Sequence, residues 1–590
     1  MAGDPREELA AVLGEQRSGG SFATQRTAAV DDLAIEVTGV GPLRYPVIAT
    51  QAKALRLVAR PAKYGHGERT VLDRRVRDTW EVPRSRVKID KRRWKRTLAP
   101  LLETIGEDLG LPATSTLTAE LHSMLVYEPG QFFAPHQDSE KNDEMIGSLI
   151  VLLPSNCTGG DLVISHRNQS VRYGGTSSSL TLVAFYADTR HEVLPVERGY
   201  RVVLTYNLLL AGDTTATASL GDGVALAVTT AALLEQHFTH TPEARWINDR
   251  RALEPPDRLV FLLDHQYTQR GLRWSQLKGD DATRADVLQV AADHAGCDVA
   301  LAHAEVHETY DCEEPAPPWR GRRQTDWVEE LDDDELDDND DHGDNVSLGE
   351  LIDSSVAITS ADQSPISFSG EVTNAELVTV TPSVELAPHT TEYTGFMGNW
   401  GNTMDRWYLR AAIVIWPRAR AFAVQAKGDP LAALHHLLGP TTQSNGGTPP
   451  PPDEVSTLLR FWPDAVRHGD QQTMLPPALR LAGQLNDAEL ATRLVEHFTI
   501  EAVTPPDAAV MLELAEQHGL EWLDKRITTW MSPRPAYAST AGPRNPWVET
   551  LPGLCANFRN DEHAPEDLRA GSARLMVNHV GHWLTTALAH

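Results

Sequence analysis

LHSMLVYEPGQFFAPHQD, residues 121–138, opens a block that closes with YRVVLTYNLLL at 200–210. Between them lie MIGSLIVLL (145–153), DLVISH (161–166), SVRY (170–173), SLTLVAFYA (179–187) and HEVLPV (191–196). These runs are short and rich in branched and aromatic side chains, which suit a pleated surface. Turn residues separate them: Pro129-Gly130, Gly159-Gly160, Gly174-Gly175 and Arg198-Gly199. Many short strands at that spacing predict an all-β sandwich or barrel.

The same block carries His136-Gln137-Asp138. In an extended chain, residues i and i+2 point to one side, so a His and an Asp two apart can grip a single ion. The triplet alone is weak in a chain with 22 histidines, and His342-Gly343-Asp344 inside an acidic run also matches. Context singles out the first. His191 follows the run LTLVAFYAD and opens the next strand. Two imidazoles and one carboxylate on one face leave coordination positions open, the pattern of non-haem Fe(II) oxygenases. Ten residues on stands Arg201, whose guanidinium can hold a carboxylate with two parallel hydrogen bonds.

Residues 121–210 resemble the catalytic domain of 2-oxoglutarate/Fe(II) dioxygenases, in the prolyl 4-hydroxylase-like branch. The likeness is carried by Tyr127-Glu-Pro-Gly130-Gln-Phe132, His136-Gln-Asp138, Ile150-Val-Leu-Leu153 and Gly159-Gly160-Asp161-Leu162. It continues through Leu182-Val-Ala-Phe185, His191-Glu-Val193, Pro195-Val196 and Gly199-Tyr200-Arg201. The resemblance implies a double-stranded β-helix (jelly-roll) core, with His136, Asp138 and His191 on Fe(II). It implies 2-oxoglutarate as co-substrate, held at its far carboxylate by Arg201 and Tyr127, with ascorbate as reductant. No further catalytic residue is implied beyond the metal centre. The expected reaction is hydroxylation of a protein or peptide substrate, such as at proline, with succinate and CO2 as co-products. Asp138 argues against the halogenase variant, which needs that ligand position vacant. A looser resemblance links the whole chain to large, uncharacterised bacterial and fungal relatives. It rests on Glu392-Tyr-Thr-Gly395, Gly398-Asn399, Arg406-Trp-Tyr408 and Ile413-Val-Ile-Trp-Pro-Arg418.

Outward from this block, the chain reads as an α+β protein. Residues 1–30 read as a poorly ordered N-terminus, and 31–210 as the dioxygenase domain with its core at 121–210. Helical patterns occupy Lys53–Arg60 and Trp94–Leu109. Residues 211–312 read as mixed α/β, 313–365 as an acidic low-complexity loop, and 366–438 as a β-rich region packing on the core. The Pro/Gly-rich stretch 439–454 reads as a linker, and 455–590 as helical, with patterns at 454–468, 477–498 and 506–528. Leu479, Leu481, Leu485, Leu490 and Leu494 read as packing surface first. No run approaches the ~20 apolar residues of a membrane span, and the N-terminus lacks a signal-peptide layout, so no membrane association and a cytoplasmic location are expected. Four scattered cysteines without a CxxC pair argue against a disulfide scaffold.

The chain has 53 Lys+Arg and 82 Asp+Glu, a net charge of −29. Asp326 to Asp344 holds 12 of those acids and no Lys or Arg. Such a balance argues against general nucleic-acid affinity. A local exception is Arg84, Arg86, Lys88, Lys91, Arg92, Arg93, Lys95 and Arg96 around Trp94, which reads as a solvated face or as a phosphate-contacting strip with a stacking aromatic. His303-Ala-Glu305-Val-His307 alternates in a strand and offers either three ligands on one face or an ordinary polar face. Asp264-His265 has no nucleophile nearby and is set aside as a dyad. Two further readings stay open: the same chemistry on a small molecule or nucleobase, and an inactive oxygenase-fold scaffold that docks partners. The intact ligand set counts against the scaffold.

Overall fold

Strand after strand of the 121–210 block pairs antiparallel into two sheets. The computed structural model describes residues 4–66, 69–112, 114–138, 143–212, 223–239, 255–312, 347–394, 401–439 and 449–531. These fall in two compact units, Met1–Pro365 with Gly370–Pro417, and Ile366–Ser369 with Arg418–His590.

In the first unit the major sheet contains β1 (Ala23–Ala28), β2 (Arg60–Pro61), β4 (Trp80–Pro83), β5 (Ser115–Tyr127), β7 (Met145–Leu152), β10 (Leu180–Tyr186) and β12 (Arg201–Gly212). Their order is β1-β10-β7-β12-β5-β4-β2. The minor sheet contains β3 (Arg77–Asp78), β6 (Phe132–His136), β8 (Leu162–His166), β9 (Gln169–Tyr173) and β11 (Arg190–Val193), in the order β9-β8-β11-β6-β3. β10 is buried at every residue and β7 nearly so, because both faces of the central major-sheet strands are covered. Gly147 on β7 sits where a Cβ would meet the Phe185 carbonyl at 2.2 Å, so only glycine lets β7 and β10 approach.

Helix α1 (Pro5–Gly14) starts on Asp4, whose side chain accepts from Arg6 N. With β1 paired to β10, it corrects the expectation that residues 1–30 are poorly ordered. Leu9 and Leu13 are the reason: both are buried in a cluster with Leu234 and Leu288. Helix α2 (Ala49–Val58) follows. Helix α3 (Lys91–Asp108) is capped by Asp90, which accepts from Arg92 N and Arg93 N. Its buried face is Trp94, Leu98, Leu102 and Ile105, at helical spacing.

A second sheet belongs to the same unit. It is built from β13 (Leu259–Leu262), β14 (Cys297–Cys312), β15 (Leu348–Ser360), β16 (Leu377–Thr379), β17 (Thr390–Thr394) and β18 (Thr403–Pro417). The order is β15-β14-β18-β13-β16, with β17 on β18 and the short seventh strand Ser369–Val372 on the outer edge of β15. Helices α4 (Gly223–Thr239) and α5 (Gly279–His294) contribute to the apolar cluster under it. Two expected boundaries change. Residues 348–360 form a strand, since Val356 and Ile358 are buried against β14. The 211–312 and 366–438 regions also share this one sheet instead of forming separate layers, because β14 and β18 pair along nearly their whole length.

The second unit is helical: α6 (Ala421–Gly428), α7 (Pro430–Leu438), α8 (Pro452–His468), α9 (Gln471–Gln484), α10 (Ala488–Val495), α11 (Ala508–His518) and α12 (Leu520–Met531). The predicted 477–498 helix is two helices, because the chain turns at Leu485 and Asp487 caps the next one. The 439–454 linker ends early, as Pro452 starts α8. Trp462, fully buried, donates from Nε1 to the Leu494 carbonyl at 2.6 Å. The acidic run Asp326–Asp344, residues Gly395, Gly398 and Asn399, and the final helical pattern beyond 531 lie outside the described residues. Among the described residues no helix is long and apolar enough to cross a membrane.

Candidate metal centre

His136 ends β6, and His191 stands directly opposite it on β11. Asp138 follows β6, and its backbone N–H donates to the Ala187 carbonyl at 3.2 Å. One side-chain ligand atom from each of these three residues lies within 4.8 Å of the others. Asp138 Oδ2 is 3.8 Å from His191 Nε2. The two imidazole rings are 4.2 Å apart between centroids.

Hydrogen bonds orient both rings. His136 Nδ1 lies 2.9 Å from the Ala134 carbonyl, and His191 Nδ1 lies 3.2 Å from the Thr189 carbonyl. A carbonyl only accepts, so each Nδ1 carries the proton and each Nε2 keeps its lone pair for an ion. Burial, then the neighbouring His191, pushes the His136 pKa down to about 3, so its ring is neutral. Phe133 stacks on His136 at 3.5 Å, and Ser148 Oγ donates to Asp138 Oδ2. Two imidazole nitrogens and one carboxylate form a donor set that suits ferrous iron.

Tyr127 and Arg201 are cross-strand neighbours on β5 and β12, and both are buried. The Arg201 Cζ lies 5.0 Å from the Tyr127 ring centroid. Burial lowers the Arg201 pKa, with Tyr127 acting against it. Its Nε and Nη2 have no hydrogen-bond partner. Buried donors of this kind are costly unless something accepts from them, so the guanidinium is set up for an anion. Gly160, at φ +70°, leaves room for this side chain, since a Cβ there would come within 3.0 Å of Arg201 Cδ. All five predicted residues line one cavity of about 100 Å3, with both imidazoles on the minor sheet, Asp138 just beyond β6, and the guanidinium on the major sheet.

Several contributors escaped the sequence reading. Asp188 sits in the turn between β10 and β11, whose Ala187 and Thr189 carbonyls hold Asp138 and His191. Its Oδ2 accepts from His265 Nδ1 at 2.8 Å and Gln266 N at 3.1 Å, and its Oδ1 from Lys278 Nζ at 3.4 Å. Burial alone would raise its pKa, yet Lys278 and His265 together hold it well below the usual carboxylate range. The pair Asp264-His265 was the visible signal. His265 meets Asp188, while Asp264 meets Arg167, Arg284 and Arg410.

Other candidates fall elsewhere. The eight cations from Arg84 to Arg96 are exposed, but Trp94 is buried and donates to the Tyr206 hydroxyl at 3.0 Å. It is a core residue and offers no stacking platform, because its face is closed by the sheet. His307 is paired with Asp405 at 2.9 Å and stacked on Trp407. Among the described residues, His136, Asp138 and His191 are the one group with metal-site geometry, so His303-Glu305-His307 is a polar strand face.

Residues 122–209 match the family model described as the 2OG-Fe(II) oxygenase superfamily. No curated protein matches the chain. Solved structures similar to it include an oxidoreductase of the 2OG-Fe(II) oxygenase family from Burkholderia pseudomallei, with 17% identity over 35% of this chain and 90% of that one, and a TM-score of 0.20. A Pseudomonas putida prolyl-4-hydroxylase gives 18% over 34% and 98%, with a TM-score of 0.22. A Trichoplax adhaerens prolyl hydroxylase, in complex with a hypoxia inducible factor peptide fragment, gives 17% over 34% and 90%, with a TM-score of 0.23. With TM-scores this low, these likenesses add no weight to the family match. The match over residues 122–209 thus supports the 2OG-Fe(II) oxygenase superfamily, a family that implies Fe(II) and 2-oxoglutarate.

Proposed function

We propose that the protein is an Fe(II)- and 2-oxoglutarate-dependent dioxygenase that hydroxylates a protein side chain, with proline as the leading target. In this reading His136 Nε2, His191 Nε2 and an Asp138 oxygen hold the iron. Arg201 receives the distal carboxylate of 2-oxoglutarate on its two unpartnered nitrogens, beside Tyr127. When bound, iron and co-substrate supply an oxidative decarboxylation: O2, 2-oxoglutarate and a substrate C–H give succinate, CO2 and C–OH. The chain's own part is to orient and exclude. The Ala134 and Thr189 carbonyls fix the imidazole tautomers, and Ser148 fixes the Asp138 carboxylate. Phe133, Leu162 and Val193 keep the cavity wall apolar, which strengthens the Arg201–carboxylate attraction.

One observation carries this reading: a three-ligand cluster and a buried guanidinium with two orphan donors face a single small cavity. The test is anaerobic titration with Fe(II) and 2-oxoglutarate, reading the visible charge-transfer band, followed by succinate release in air. Both signals are expected in the native chain and absent in His136→Ala. Unchanged turnover in His136→Ala refutes the assignment.

A further inference from the structure

Asp138 stands at a junction. It lines the small cavity that holds Arg201, and also a wider groove of about 800 Å3. Gln137 and Ala187 of the oxygenase core form the groove's near wall, and the second sheet forms its far wall. There β14 presents His303 and Glu305, β15 presents Thr359, and β18 presents Leu409. The register sets His303 opposite Thr359 and Glu305 opposite Leu409, so these residues share one face of that sheet.

We infer that this groove is the substrate channel, and that its occupant is a basic, extended polypeptide segment selected by Glu305 and Asp362. The inference rests on the dioxygenase reading above and names the substrate class for that site.

Three features carry it. The first is size. At about 800 Å3 the groove is eight times the inner cavity and lies in the upper range for ligand sites, so it has room for several residues of chain while the inner cavity suits one small acid. The second is wall chemistry. Gln266, Gln269 and Thr359 carry side-chain donors and acceptors along this wall, as the peptide groups of an extended chain require. The third is charge. Glu305 and Asp362 are exposed. Arg410 is the one Lys or Arg among the described lining residues, and it is buried and committed, donating to the Leu263 and Thr381 carbonyls and pairing with Asp264 at 3.4 Å. Burial lowers the His303 pKa, so that ring adds no positive charge at neutral pH. The groove is therefore negative, like the chain as a whole at −29, which attracts lysine-rich segments and repels phosphate backbones.

The test uses the full chain with Fe(II) and 2-oxoglutarate under anaerobic conditions. Three fluorescein-labelled 12-residue peptides are compared by anisotropy, each with a central proline and flanked by four lysines, four glutamates or four serines. The lysine peptide is expected to bind about 10-fold or more tighter than the glutamate peptide and to weaken as NaCl rises from 50 to 300 mM. Glu305→Lys with Asp362→Lys should remove that preference. Glu305→Gln with Asp362→Asn, which keeps shape, should reduce it to an intermediate level. The charge-transfer band should persist in both variants. Equal binding of all three peptides, tighter binding of the glutamate peptide or of a dT12 oligonucleotide, or a lysine preference that survives the double reversal each overturns the proposal. An absent band in the native chain sinks the dioxygenase reading instead, whichever peptide binds.

Discussion

Replacing Asp188 by asparagine removes one charge while keeping the side chain's shape. Asp188 and Lys278 are 6% and 1% exposed, so their attraction is little screened by water. Taking away one member of a buried pair costs about 3–5 kcal/mol, because the other charge stays buried without its counter-ion. The brace holds the turn whose Ala187 and Thr189 carbonyls orient Asp138 and His191, so the damage should reach the metal ligands. Loss of such outer support typically lowers metal affinity about 10- to 100-fold. Hydrogen exchange of the amides from 180 to 193 should accelerate by roughly two to nearly four orders of magnitude. Anaerobic Co(II) titration, followed by its visible absorption, should show the weaker binding. The pH dependence has a definite sign. Asp188 has a depressed folded pKa, so its contribution is present above about pH 4 and is lost as pH falls through the folded value. His265 has a raised folded pKa, so its share is full below about pH 6.5 and is lost as pH climbs through the folded value. The native-to-variant gap should therefore be widest between those limits. Native Co(II) affinity in a variant with the full loss of protection would refute the link from brace to ligands. A loss below about 1 kcal/mol would refute the buried-pair reasoning itself.

Arg201→Met should raise the KM for 2-oxoglutarate about 30-fold or more while Co(II) binding stays native, since truncating a buried charge partner costs at least ~2 kcal/mol. Steady-state succinate assays and Co(II) titration separate the two. Trp94→Ala should destabilise the first unit by about 3–5 kcal/mol, the cost of emptying a core aromatic site. Hydrogen exchange across α3 measures this, and oligonucleotide affinity should not change, because Trp94 faces Tyr206. Trp462→Ala should cost the second unit a similar amount, read from exchange in α8 and α10.

The candidate site was legible because its chemistry is local. His136 and Asp138 are two residues apart, and His191 and Arg201 each sit at the start of a strand-like run, so spacing together with the flanking strand pattern points imidazole, carboxylate and guanidinium to one site. An aromatic at a strand end, such as Tyr127, is commonly a core residue, and its register with Arg201 places it beside the guanidinium. The N-terminal helix was hidden because Pro5–Gly14 is weakly amphipathic by itself, and Leu9 and Leu13 become a core only against α4. The strand at 348–360 was hidden for a related reason. LGELIDSSVAITS buries only Val356 and Ile358, and its remaining residues give no alternating signal. The Asp188 brace depends on residues 77 and 90 positions apart, a separation at which no periodicity speaks.

The two sheets of the core differ in how well they hold themselves. β7 and β10, of eight and seven residues, are almost entirely buried, and β12 runs for twelve residues with Arg201–Leu204 buried at its start, so Arg201 rests on a rigid platform. The ligand-bearing strands β6 and β11 have five and four residues, and their ladder is interrupted between Phe133 and His136. A short, irregular pair has few ladder bonds and little apolar area with which to resist local opening. Three convergent ligands nevertheless need positions fixed to a fraction of an ångström. The missing rigidity comes from the polypeptide that follows the oxygenase domain, through His265, Gln266 and Lys278 on the Asp188 carboxylate. The second sheet's region is therefore part of what keeps the metal ligands in place. On this argument residues 23–212 expressed alone, which carry every strand of the major sheet, would keep that sheet but bind Co(II) more weakly than the full chain.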